Sequence, residues 1–205
     1  MRRIETEADI AEGAAALARL DPAFAPLTAL RPPLRRRPAG FATLLQAIVG
    51  QQVSTASARA IWARVEEAGL TEAAPVCAAG EDGLRALGFS RPKIRYALAL
   101  AESGLDFDAL AHLEDEAVIT QLTALKGIGR WTAEIYALTA LGRSDVFPAG
   151  DLALQEAARI LYHQQDRPDE RRLRQMAGAW SPWRAVAARL LWELYAQEKG
   201  REGIQ

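Results

Sequence analysis

Phe41, Leu44, Leu45, Ile48 and Val49 stand at i, i+3, i+4, i+7 and i+8, an apolar stripe along one helix face that Gly50 ends. Gln51-Gln52-Val53 leads to Ser54, an N-cap residue type, and Ala58, Ile61, Trp62 and Val65 repeat the spacing in a second helix. Ser90 is placed to cap a third, with Pro92 in its first turn, a stripe of Ile94, Ala97, Leu98 and Ala101, and Gly104 as its stop. A helix over about Asp115–Ala124 buries Val118, Ile119 and Leu122 and runs into the short turn Leu125-Lys126-Gly127-Ile128-Gly129. Beyond it Trp131, Ile135 and Leu138 share a face. An irregular stretch, Val146-Phe147-Pro148-Ala149-Gly150, then gives way at Asp151 to a helix carrying Leu154, Ala157, Ala158 and Leu161. The last helix is expected to open at Ser181-Pro182, packing Trp183, Val186, Leu190, Leu191 and Leu194. No strand-like alternation with turn dipeptides occurs, and Asp21–Gly40, rich in proline and arginine, reads as a connector. The pattern predicts an all-α fold.

With 205 residues the chain has enough length for one substantial core or two small lobes. Cys77 is its one cysteine, which leaves no intramolecular disulfide, no four-cysteine iron–sulfur cluster and no conventional zinc site. His112 and His163, the two histidines, give little support to a metal hydrolase. No uninterrupted run of 18 apolar residues exists, so no membrane span is expected. Met1-Arg2-Arg3-Ile4-Glu5 lacks a signal-peptide core, and a cytoplasmic protein is the expectation.

A net charge of -1 is unusual for a nucleic-acid binder, but placement matters more than the total. Acid gathers at Glu5–Glu12 and Asp106–Glu116. Base gathers at Arg35-Arg36-Arg37, at Arg91, Lys93 and Arg95, and around Lys126 and Arg130. Each cluster reads either as a solvated face or as part of a bipolar surface.

Two features carry candidate chemistry. In the turn, Gly127 and Gly129 permit positive φ and close approach of another surface. The first N–H groups of the following helix are unpaired within that helix and suit a phosphate, with Lys126 and Arg130 adding charge. The same glycines also serve an ordinary helix–helix turn. Asp151 in turn reads either as a helix N-cap or as a carboxylate lining a cleft.

Taken in order, four blocks decide between these readings. Leu125-Lys126-Gly127-Ile128-Gly129-Arg130-Trp131-Thr132-Ala133 resembles the hairpin of the helix-hairpin-helix (HhH-GPD) DNA glycosylases, and Val146–Asp151 resembles their Gly/Pro-rich segment with its aspartate. Phe41–Ser54 looks like the family helix that ends in I-x-G-Q-x-x-S. Trp180-Ser181-Pro182-Trp183-Arg184, continuing to Leu191-Trp192, is similar to the 3-methyladenine DNA glycosylase II branch.

The resemblance implies a two-lobed fold with the active-site cleft between lobes, a central lobe over about 41–141 and a second from 1–40 plus 142–205. The bacterial relatives that the chain resembles carry an extra N-terminal β domain, and with about forty residues before Phe41 this chain is expected to lack it. The implied activity is base excision of alkylated bases from double-stranded DNA by a monomeric enzyme, cytoplasmic and associated with the nucleoid. Asp151 is then the catalytic carboxylate. Trp131, Trp192 and Tyr136 are base-pocket aromatics, although tryptophan at helical spacing also reads as core. Gln52, with Gln51, is the wedge that fills the gap left by a flipped nucleotide. Lys126, Gly127, Ile128, Gly129, Arg130 and Thr132 hold the DNA backbone. Carbonyls of Thr123, Leu125 and Ile128 form the implied site for a monovalent Na+ or K+, and no cofactor is required. Trp131 stands where the glycosylase–lyases carry a nucleophilic lysine, so the expectation is hydrolysis without strand cutting. The rival readings are a non-catalytic DNA-binding module and a glycosylase–lyase for oxidised bases.

Overall fold

In a computed structural model, which describes residues 2–200, the chain is predominantly helical. It runs through α1 (Glu7–Leu20), a 3-10 segment (Pro22–Ala29), α2 (Phe41–Gly50), α3 (Thr55–Glu67), α4 (Ala73–Ala86) and α5 (Arg91–Glu102). Then come α6 (Phe107–Leu110), α7 (Asp115–Thr123), α8 (Arg130–Thr139), α9 (Leu152–Leu161), α10 (Glu170–Ala177) and α11 (Arg184–Lys199). Among the described residues no strand forms; one isolated bridge joins Arg3 and Arg143. Met1 and residues 201–205, assigned above to the second lobe, lie outside the described residues. The helices group into two compact units, one of Arg37–Tyr136 and one of the chain up to Arg36 together with the chain from Ala137.

In the Arg37–Tyr136 unit, α2 buries its whole predicted stripe, Phe41, Leu44, Leu45, Ile48 and Val49, against α3 and α5. Lys93 departs from expectation. Instead of joining Arg91 and Arg95 at the surface it is buried, and its Nζ donates to the Val49 carbonyl at 2.7 Å. Burial lowers its pKa, and the negative end of the α2 dipole offsets part of that cost. Ser54 caps α3 through the Ser57 N–H at 3.1 Å, whereas Ser90 occupies the N-cap of α5 without a side-chain bond. In α5, Leu100 rather than Leu98 or Ala101 lies deepest beside Ile94 and Ala97.

The other unit opens with a capping box in which Thr6 and Asp9 satisfy each other's backbone N–H groups. Gly13 lets α1 lie close to α11: a Cβ there would come within 2.7 Å of Trp183 and Val186. The expected connector is irregular only from Leu30 onward. Its first part is the 3-10 segment, capped by Asp21 through the Ala23 N–H at 3.1 Å, with Phe24 and Leu27 buried. Phe24 meets Trp180 edge-on at 5.2 Å, and that tertiary contact outweighs the two prolines. The last helix also differs from expectation. It opens at Arg184 after Trp183, because Ser181 donates to Asp145 at 2.7 Å instead of capping. On α11 the run Ala185–Trp192 is buried. It includes Arg189, whose guanidinium is satisfied by the carbonyls of Ala185, Leu34 and Leu138. Burial, aided by Arg36 and Arg35, depresses its pKa to about 10.

Candidate functional site

In the Arg37–Tyr136 unit, α7 and α8 are joined by the turn that holds both glycines. Gly127 adopts φ +90° and lies against the Tyr96 ring, and the Ile128 N–H closes the turn on the Leu125 carbonyl at 3.1 Å. Gly129 has no positive φ, and a Cβ on it would meet nothing within 4 Å. The fold thus demands the first glycine and leaves the second open to an outside surface. Lys126 and Gly129 are exposed, Ile128 is buried beneath them, and Thr132 is buried in the first turn of α8. The turn lines a groove of about 690 Å³ with Thr123, Leu125, Lys126, Gln51, Gln52 and the start of α5.

Arg130 is occupied within the protein. It makes a bidentate pair with Glu116 on α7 (2.8 and 2.9 Å) and donates from Nε to the buried Glu134 at 2.9 Å. The bond to Glu116 is the main cause of its raised pKa. Its positive charge, assigned above to DNA, is neutralised by two carboxylates, and the contact ties the helices on either side of the turn together.

The two glutamines part company. Gln51 donates from Nε2 to the Gly127 carbonyl at 2.9 Å, which makes it a strut between the α2 terminus and the turn rather than a wedge. Gln52 is exposed and holds a left-handed backbone at φ +55°, a costly conformation for a non-glycine residue. Val53 beside it is 40% exposed.

Among the aromatics, Trp131 on α8 is 42% exposed. Tyr136 is buried, its hydroxyl accepting the Gly40 N–H at 2.8 Å and its ring tilted against Phe107. Burial raises its pKa. The Tyr136 hydroxyl is thus engaged within its own unit.

In the other unit Asp151 is buried and caps α9, its Oδ1 accepting from the N–H groups of Ala153 (2.9 Å) and Leu154 (3.1 Å). The irregular segment before it is pinned along its length. Gln155, one turn into α9, donates to the Ala149 carbonyl at 3.0 Å, and the Asp151 N–H closes on Pro148 at 2.9 Å. Phe147 meets Trp180 edge-on at 5.2 Å. At its start Asp145 accepts both arms of Arg184 at 2.8 Å and the Ser181 hydroxyl at 2.7 Å. Burial pushes the Asp145 pKa up, but those bonds outweigh it and hold the carboxyl below its ordinary value. Trp192 on α11 is buried, and its indole N–H has no hydrogen-bond partner among the described residues. Asp145, Arg184 and Gln155 were not foreseen as supports of Asp151. The one sequence signal for them was the Ser-Pro-Trp-Arg block, which contains two of the partners.

The model of the HhH-GPD superfamily of base excision DNA repair proteins matches residues 45–182. A DNA-3-methyladenine glycosylase 1 from Schizosaccharomyces pombe is 32% identical over 162 residues, spanning 75% of this chain and 71% of that protein. Of solved structures, a DNA-3-methyladenine glycosidase from Bacillus halodurans superposes with a TM-score of 0.80 at 33% identity, covering 99% of this chain and 97% of that one. A 3-methyladenine DNA glycosylase from S. pombe, solved in complex with abasic DNA, gives a TM-score of 0.75 at 26% identity over 95% of this chain and all of that one. The chain is a member of the HhH-GPD superfamily of base excision DNA repair proteins.

Proposed function

We propose that this protein is a monofunctional DNA glycosylase that hydrolyses the N-glycosidic bond of alkylated bases, of the 3-methyladenine and 7-methylguanine type, in double-stranded DNA. The observation that carries the reading is Asp151, a buried carboxylate held at the head of α9 by two backbone N–H groups and by a braced preceding segment. The names of the relatives support the substrate class.

The chemistry follows from the charge on the base. An alkylated purine such as 7-methylguanine is cationic, and it leaves neutral, taking both electrons of the bond to the sugar. Positive charge builds on the sugar as the bond breaks, and a fixed carboxylate in a dry site stabilises it. Water then adds to the sugar carbon and gives up a proton, with Asp151 as the acceptor. Trp131 presents an exposed indole face that favours a cationic base through cation–π attraction. It has no amine to form a Schiff base, so strand cleavage does not follow. Trp192, whose indole N–H is unpartnered among the described residues, is the aromatic side chain offered by the unit that holds Asp151.

The turn is the phosphate grip. Lys126 and the first-turn N–H groups of α8 face the backbone, and the unobstructed Gly129 lets it come close. Gln52 fills the gap left by the flipped nucleotide. A monovalent cation would bind through the carbonyls of Thr123, Leu125 and Ile128. Thr123, Leu125 and Ile128 all line one groove, while Gln51 takes the Gly127 carbonyl. Such an ion would bridge the turn to phosphate.

The test is incubation with duplex DNA carrying 3-methyladenine or 7-methylguanine, followed with and without alkali. Free base is expected, with strand breaks only after alkali. Binding without base release would make the protein a DNA-holding module, and a complex trapped by borohydride would make it a lyase.

A further inference from the structure

We propose that the exposed face of α10 is a second DNA-backbone contact, in which Arg171 and Arg172 hold phosphates alongside the segment that carries Asp151; this rests on the DNA glycosylase reading above. Helix α10 exposes Arg171 and Arg172 while burying Leu173 and Ala177. Neither guanidinium makes an ion pair or a side-chain hydrogen bond among the described residues. The nearby acids are already engaged: Asp169 caps the helix through the Arg172 N–H at 2.7 Å, and Glu170 pairs with Arg174 at 2.9 Å. Two adjacent uncompensated charges are notable in a chain whose net charge is -1.

Position supplies the second argument. Glu170 lies against Gly150, where a Cβ would stand 3.2 Å from its Oε2, and Arg174 reaches the Phe147 carbonyl at 3.5 Å. The helix is therefore fastened to the very segment that presents Asp151, and its exposed arginines belong to the same compact unit as that carboxylate. A polyanion with evenly spaced charges fits such a pair, since guanidinium matches phosphate oxygens bidentately. Contacts of this kind position the duplex and carry no sequence information.

The experiment measures affinity for duplex DNA containing an abasic-site analogue across a salt series, for wild type, Arg171→Gln, Arg172→Gln and the double variant. Arg19→Gln, an exposed arginine in the last turn of α1, controls for net charge. Each phosphate contact contributes roughly 0.9 to the slope of log affinity against log salt. The double variant is expected to lose about 1.8 of that slope and each single variant about half as much. The thermal midpoint stays unchanged and Arg19→Gln keeps the wild-type slope. A double variant that retains the full slope while wild type binds and excises overturns this surface alone. A wild type that neither binds nor excises overturns the glycosylase reading instead.

Discussion

A Cβ added to Gly127 would lie 2.3 Å from Cγ of Tyr96, at a backbone φ of +90°. At Gly129, two residues on, an added Cβ would meet nothing within 4 Å. The two glycines of one turn are thus required for different reasons. The first is fixed by packing against α5 and the second, on the proposed function, by what approaches from outside. Gly127→Ala should lower stability, by at least about 2 kcal/mol from the left-handed backbone and the overlap together. Gly129→Ala should fold with a loss of about 1 kcal/mol or less, that of an N-cap position, yet bind duplex DNA more weakly. Thermal melts paired with binding isotherms test this, and equal effects of both substitutions on stability would contradict it.

Lys126 and Arg130 stand four residues apart and should behave oppositely. Lys126→Ala should reduce the salt slope of DNA binding by about 0.9, the share of one phosphate. Arg130→Ala should leave the slope in place and lower stability, because it removes a charge partner of the buried Glu134 and unties α7 from α8. A salt series with both variants separates the two roles. A reduced slope for Arg130→Ala would return that residue to the DNA interface.

These contrasts mark where sequence stops being informative. Local periodicity was enough for the α2 stripe, the caps at Ser54 and Asp151, and α7, because neighbours three and four residues apart decide them. Glu134 stands four residues from Arg130, but Glu116 lies 14 residues from it and the Val49 carbonyl 44 residues from Lys93, and no local pattern distinguishes an arginine facing phosphate from one facing Glu116. Gln51 and Gln52 are alike in sequence, and only the Gly127 carbonyl separates strut from exposed loop. The start of α11 was misplaced for the same reason, since the Ser181 hydroxyl is drawn to Asp145 on a distant segment.

Trp131 and Trp192 should also differ when truncated. Trp131→Ala removes an indole that is 42% exposed, so stability should change by about 1 kcal/mol or less while excision of cationic bases falls. Trp192 is buried in the run that packs α11, and Trp192→Ala should cost about 3–5 kcal/mol. Denaturant midpoints and excision rates on 7-methylguanine DNA check the pair. A large stability loss at Trp131 would place it in the core instead.

Asp145 gives a pH dependence with a defined sign. Its folded pKa is depressed below 3.8, so its contribution to stability is present above that value and is lost as pH falls through the folded value. The stability gap between wild type and Asp145→Asn should be full from neutral pH down to about pH 5 and shrink on further acidification. Thermal melts across that range measure it, and a gap independent of pH would mean that ionisation of Asp145 plays no part in bracing the segment.

The account turns on Asp151, and Asp151→Asn isolates its charge because asparagine keeps the N-cap of α9. The decisive measurement is the single-turnover release of 7-methylguanine from duplex DNA by this variant, alongside its melting temperature and its affinity for abasic-analogue DNA. We expect folding and DNA binding to persist and release to slow by at least on the order of 10²-fold, the loss expected for one preorganised electrostatic contact to the transition state. Release at the wild-type rate by a folded, DNA-bound Asp151→Asn would contradict the mechanism.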